Sequence, residues 1–206
     1  PVNGLDSAAK RQSGYRALLQ RIKRPELLPG SADGHPLLGY RQTLTLPNLP
    51  PVNIIGLDTA WLAGDDHDKG KLLLTEHQVL LNATNPDDGA PLTGLRLALM
   101  HHPLSDLGDA ADAHRLLSDY VDLVLHGHQH KPLSKEESNP DRTLRTLAAG
   151  SLYEGDEGDE WVNSFHVLDV EMNAEGRPLR YVVQFYAWSI DGGHWHEHSA
   201  LYKNAP

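Results

Sequence analysis

Two short apolar runs flank a helical segment between residues 95 and 125, and both runs lead into histidine. Residues 95–100 read as a buried strand, residues 109–120 carry helical spacing, and residues 121–125 form a second apolar strand. The connecting helix makes the two strands sheet neighbours in an α/β fold. In such sheets ligands gather outside the carboxyl ends of the strands. Here the first strand runs into His101-His102-Pro103 and the second into His126-Gly127-His128-Gln129-His130. Residues two apart in an extended segment share a face, so His128 and His130 can point the same way. Gly127 permits a tight turn between strand and loop. Neutral imidazole is the commonest protein ligand for a transition metal. Three imidazoles from two adjacent strand ends would hold a borderline metal such as Zn²⁺, Mn²⁺ or Fe.

The rest of the chain surrounds this unit with more strands than helices. Residues 7–23 read as an amphipathic helix with Tyr15, Leu18, Leu19 and Ile22 on its apolar face, ended by Pro25. Residues 29–36 are a Gly/Pro-rich loop. Residues 40–46 alternate as a strand, and residues 52–57 form a short buried strand. Thr75 is placed to cap a helix through Asn82. After the histidine-bearing turn, residues 145–149, 165–171 and 180–190 are extended, and residues 154–160 form an acidic, glycine-rich loop. Strand and helix alternate in the middle and strands dominate the end, which gives an α/β class with a mixed sheet or two stacked sheets. The chain reads as one domain over 1–206: a helix and loop region over 1–50, a sheet core over 51–190, and a tail over 191–206.

Composition removes several alternatives. The formal net charge of −10 argues against a broad nucleic-acid or anionic-membrane surface. The absence of cysteine rules out disulfides and thiolate metal sites. No apolar run approaches the roughly 20 residues that span a bilayer, and no signal peptide is visible, so the expected location is the cytoplasm. Phosphate-loop, nucleophile-elbow and His-Glu-x-x-His motifs are also missing.

The strand ending in His101-x-Pro103, followed by Gly127-His128-x-His130, resembles the last two sequence blocks of the calcineurin-like metallophosphoesterases. Gly56-Leu57-Asp58-Thr59 looks like the strand end before those blocks, and Ala149-Gly150-Ser151 like the one after them, so the likeness covers residues 52–186. It implies part of an α/β/β/α sandwich with mixed sheets. The implied activity is hydrolysis of a phosphomonoester or phosphodiester by a metal-activated hydroxide. By the resemblance His101, His128 and His130 are metal ligands. His102 would stand close to the substrate as a catalytic or supporting residue, and the choice between His101 and His102 as ligand stays open. Gly127 is the turn glycine and His126 is structural or at the rim. The implied cofactors are two divalent transition metals (Mn, Fe or Zn) in an intact enzyme, and the implied partner is a small phosphoester.

The family's three earlier blocks, Asp-x-His, Gly-Asp-x-x-Asp and Gly-Asn-His-Asp/Glu, are not found ahead of this region. Gly64-Asp65-Asp66-His67-Asp68 matches two of them as a string but lies in a polar loop, and reads as a solvated acidic turn. Two cations about 3.5–4 Å apart need bridging anionic ligands, and three neutral imidazoles supply none. The chain is therefore expected to be the C-terminal part of an enzyme whose other half supplies the carboxylates, and to hold one metal at best by itself. A non-catalytic binding or regulatory domain of the same descent, and a mononuclear three-histidine zinc hydrolase, are the competing readings. His194-x-His196-x-His198 reads as an exposed terminal strand, Trp61 and Trp188 as packing residues, and Tyr153 and Glu154 as a cleft border.

Overall fold

The computed structural model describes residues 10–24, 27, 38–65, 67–129, 133–139, 142–152 and 163–198. The elements in chain order are α1 (Ser13–Arg21), β1 (Tyr40–Leu44), β2 (Val52–Gly56), α2 (Glu76–Ala83), β3 (Leu95–Met100), a 3₁₀ turn (Leu104–Asp106), α3 (Ala110–Tyr120), β4 (Leu123–His126), β5 (Leu133–Asn139), β6 (Arg142–Ala148), β7 (Ser164–Met172), β8 (Pro178–Ser189) and β9 (His194–Glu197). The class is α/β with a mixed sheet. A six-stranded sheet has the order β1-β2-β3-β4-β6-β5, and a three-stranded sheet the order β7-β8-β9. Strands β2, β3, β4 and β6 are mutually parallel, while β1 and β5 run antiparallel at the two edges.

In β2 to β4 buried positions largely alternate with half-buried ones, so one face of these central parallel strands is more fully covered than the other. On one face Ile55, Ala98, Met100 and Val124 meet Val79 of α2 and Leu116 and Leu117 of α3, all buried. On the other face the second sheet packs. There Tyr181 of β8 donates its hydroxyl to the Asp122 carbonyl at 3.2 Å, and Arg145 of β6 lies over the Tyr181 ring at 5.5 Å. Burial, together with the nearby Asp122 carboxylate, pushes the Tyr181 phenol well above its usual range. Among the described residues no helix is long and apolar enough to cross a membrane.

Several local expectations are corrected. Of the apolar face assigned to α1 only Leu19 is buried, while Tyr15, Leu18 and Ile22 are exposed. Thr75 does not cap α2: its φ is 68° and its hydroxyl makes no capping bond. The Asp109 carboxylate instead holds the backbone just ahead of the helix, accepting the N–H of Leu74 at 3.1 Å and of Thr75 at 2.8 Å. One carboxylate thereby ties the start of α3 to the start of α2. Strand β5 was not foreseen, because Leu-Ser-Lys-Glu-Glu-Ser-Asn has no apolar alternation. It forms as an edge strand, where charge is tolerated, in register with β6 from Leu133↔Ala148 to Asn139↔Arg142. The Gly/Pro-rich loop 29–36, the acidic loop 154–160 and Tyr153 lie outside the described residues.

At the amino ends of β3 and β4 sits a buried ion pair. Arg96 Nη2 is 2.6 Å from Asp122 Oδ1, with side-chain exposures of 6% and 8%. Asp122 also accepts the Arg96 backbone N–H at 2.8 Å, so it fixes both the charge and the register of neighbouring strands. Removing one partner of a buried pair strands the other charge. Asp122→Ala is expected to destabilise the protein by about 3–5 kcal/mol, and Arg96→Met with Asp122→Leu to recover most of that loss. Urea denaturation of the single and double variants measures both.

Candidate metal centre

The parallel register brings the carboxyl ends of β2, β3, β4 and β6 to one edge. Leu99 pairs with Gly56 and with Leu125, and Met100 pairs with His126, which in turn pairs with Ala148. The loops that follow carry Asp58-Thr59, His101-His102, Gly127-His128 and Ala149-Gly150. His101, His102 and His128 converge there, each offering a ring nitrogen within 4.8 Å of the others. Their ring centroids are 4.7 Å (101–102), 5.1 Å (101–128) and 4.7 Å (102–128) apart. Imidazoles sharing one tetrahedral ion, with metal–nitrogen bonds near 2.0–2.1 Å, hold their centroids roughly 5.2 Å apart. The three rings stand slightly closer than that, near the spacing of a three-imidazole site.

Neighbouring groups face two of the rings. Thr59 Oγ1 accepts the His102 backbone N–H at 3.1 Å and lies 3.0 Å from His102 Nδ1. With the proton on Nδ1 both bonds use the same acceptor, and Nε2 keeps its lone pair for a ligand. His128 Nδ1 lies 3.2 Å from His101 Nε2, while His128 Nε2 lies 3.6 Å from Asp106 Oδ2. Asp106 is buried at 5% exposure and also receives the Ser105 hydroxyl at 3.2 Å. At that distance the carboxylate faces the His128 ring through its charge, without a hydrogen bond. Lys69 Nζ, at 4.0 Å, gives Asp106 only distant compensation.

The loop bearing Thr59 is itself anchored to α2. The Gln78 side chain, 1% exposed, accepts the Asp58 backbone N–H and donates to the carbonyls of Asp58 at 3.1 Å and Leu74 at 2.8 Å. Thr59, Gln78 and Asp106 escaped the sequence reading. Asp58-Thr59 had been noted only as a strand end, and nothing in the order of residues signals that Asp106 returns to His128. The acidic run is solvated: His67 Nδ1 and Asp65 Oδ1 are 3.4 Å apart at 87% and 71% side-chain exposure.

The turn at the end of β4 differs from expectation. Gly127 does not adopt positive φ; His128 does, at 68°. The Gln129 N–H closes on the Gly127 carbonyl at 2.8 Å, so His128 is the central residue of a γ-turn. Positive φ is costly for a residue with a Cβ, roughly 1–2 kcal/mol, and such strain clusters at functional sites. His126 is buried beside the cluster with its Nδ1 3.2 Å from the Gly127 carbonyl, and burial lowers its basicity. His130, expected as a ligand, lies outside the described residues, and His102, expected beside the substrate, sits within the cluster.

A cavity of about 730 Å³ opens beside the cluster, lined among others by Tyr15, Tyr40, Leu57, Thr59, Leu99 and His101. Arg11 enters it from the start of α1, its guanidinium donating to the Ala63 carbonyl at 2.8 Å.

No protein-family profile matches the chain, and no curated protein sequence matches it. Among solved structures, a single mutant of Vps29 from Entamoeba histolytica is similar at 12% identity and a TM-score of 0.30. The match covers 77% of this chain and 60% of that one. This chain thus spans less than two thirds of that structure, and the likeness is too slight to support an activity.

Two outcomes are expected. His128→Gly removes a ligand but also the cost of positive φ, so the metal-free variant should melt at or above the parent temperature, while His128→Ala should not gain. Differential scanning calorimetry compares them. Burial lowers the pKa of His126 and His166, and burial followed by the charges of His101 and His128 lowers that of His102. The unfolded chain titrates these groups near 6.5, so below that pH it binds more protons than the folded protein. Stability of the metal-free protein is then constant above about pH 7 and falls as pH drops through the 6.5 region. Urea midpoints that stay level from pH 7.5 to 5.5 contradict this.

Proposed function

We propose that the chain carries the histidine half of a metal-dependent phosphoesterase site of the calcineurin-like kind, and that His101, His102 and His128 hold one divalent transition metal. The observation that carries the reading is the convergence of these three imidazoles at the carboxyl ends of two parallel strands. Their chemistry fits the ion: three neutral nitrogen donors, one of them oriented from behind by Thr59 and another faced by the Asp106 carboxylate. Bound there, a Zn²⁺ or Mn²⁺ ion supplies Lewis acidity toward a phosphoryl oxygen and toward water.

The chain's own residues do the rest. Thr59 holds His102 in one tautomer, and Asp106 offsets the positive charge that accumulates near His128. The cavity beside His101 seats the organic part of a small phosphoester against Tyr15, Tyr40 and Leu99, and Arg11 brings positive charge to its rim. Placing substrate and catalytic groups together converts an encounter into an intramolecular step. On this reading the carboxylates of a two-metal centre come from a further part of the same protein.

Turnover of a chromogenic phosphodiester in Mn²⁺ or Zn²⁺, measured on the longest available form of the protein, tests the activity. His102→Ala and His128→Ala should each abolish it, and unchanged turnover in His128→Ala overturns the proposal. Metal uptake by the parent protein without any turnover would replace it by a metal-binding regulatory module. For metal affinity, Asp106→Asn should weaken Zn²⁺ binding by roughly 10–100-fold. Titration calorimetry against Thr59→Val, which frees His102 Nδ1, shows whether both supports contribute.

A further inference from the structure

The inner face of the three-stranded sheet gathers a second set of imidazoles. Antiparallel pairing aligns Ser189 with His194 and Ala187 with His196, and the His198 N–H donates to the Phe185 carbonyl at 2.8 Å. Side chains two apart on a strand share a face, so His194, His196 and His198 stand in a row. Phe185 and Ala187 on that face are buried at 1% and 2% exposure, which identifies it as the side turned toward the protein. The opposite face carries the aromatic group Phe165, Tyr186, Trp188 and Trp195.

Ring centroids lie 6.1 Å apart for His194 and His196, and 5.6 Å for His196 and His198. The second spacing is close to the roughly 5.2–5.5 Å that two imidazoles adopt on one tetrahedral or trigonal ion with bonds near 2.0–2.1 Å. The His194 ring stands farther off, with its Nδ1 3.0 Å from the Gly192 carbonyl. His196 Nδ1 is buried and has no hydrogen-bond partner among the described residues. A buried polar nitrogen without a partner is costly, and a bound ion or water is the usual resolution. Ser164 Oγ, in the same cross-strand row through Ala187, is likewise buried and without a partner among the described residues.

We propose that the end of β9 carries a second site for a divalent transition metal, chelated by His196 and His198 and separate from the His101, His102 and His128 cluster. All-imidazole donors at this spacing select Zn²⁺, Cu²⁺ or Ni²⁺ over Mg²⁺ or Ca²⁺. Binding satisfies His196 and rigidifies the short strand that closes the sheet. The site stands on β9 alone and is independent of any activity at the first cluster.

The test uses the full chain with His101→Ala and His128→Ala, so that the first cluster is dismantled. Calorimetric titration with Zn²⁺ should still show uptake of one equivalent, and Cu²⁺ added in its place should give an electron paramagnetic resonance spectrum with splitting from at least two nitrogens. Adding His196→Ala should weaken Zn²⁺ binding roughly tenfold or more and remove that splitting. His198→Ala should do the same and serves if His196→Ala changes the far-ultraviolet circular dichroism. Absence of uptake in the dismantled background, or an isotherm unaltered by both His196→Ala and His198→Ala, overturns the proposal.

Discussion

The parallel register of β2, β3 and β4 is the constraint on which the site depends. Because Met100 lies opposite His126 and Leu99 opposite Gly56, the three loops beyond these strands leave the sheet at one height. Imidazoles from separate loops then meet without any long side chain spanning a gap. The register is locked at the other end of the strands by Asp122, which takes both the guanidinium and the backbone N–H of Arg96. The buried charge at one edge of the sheet and the histidine cluster at the other are two ends of the same alignment.

Rigidity is spent unevenly around the cluster. Thr59 is held through Gln78 to α2, and Asp109 joins α2 to α3, so His102 rests on a braced framework. His128 is different. It is exposed, sits in a γ-turn at positive φ, and meets the framework through Asp106 and His101. On the proposed reading, a ligand held in a costly conformation is poised for its ion before the ion arrives, which lowers the ordering cost of binding. On that reading the negative charge of Asp106 matters too, since three neutral imidazoles alone offer an ion no charge compensation.

The histidine motifs, the strand-helix-strand unit around them and the α/β class were legible because each rests on short-range signals: apolar runs, helical spacing and a histidine immediately after a strand. What escaped were contacts between distant segments. Asp106 and His128 are brought together only because a 3₁₀ turn folds back over the end of β4, and Asp109 holds the backbone just ahead of a helix that begins more than thirty residues earlier in the chain. Strand β5 escaped because its sequence carries no apolar alternation; its pairing with β6 decides its conformation.

By itself the sequence determined that two apolar strands joined by a helix end in histidine, and that no thiolate can take part. Local periodicity and composition are properties of neighbouring residues. Tertiary structure alone decided that His102 belongs with His101 and His128, that the left-handed residue of the turn is His128 and not Gly127, and that a buried carboxylate supports the cluster. These facts depend on how the strand ends align across the sheet and on which groups are taken out of water together, and neither is encoded in the order of any one segment.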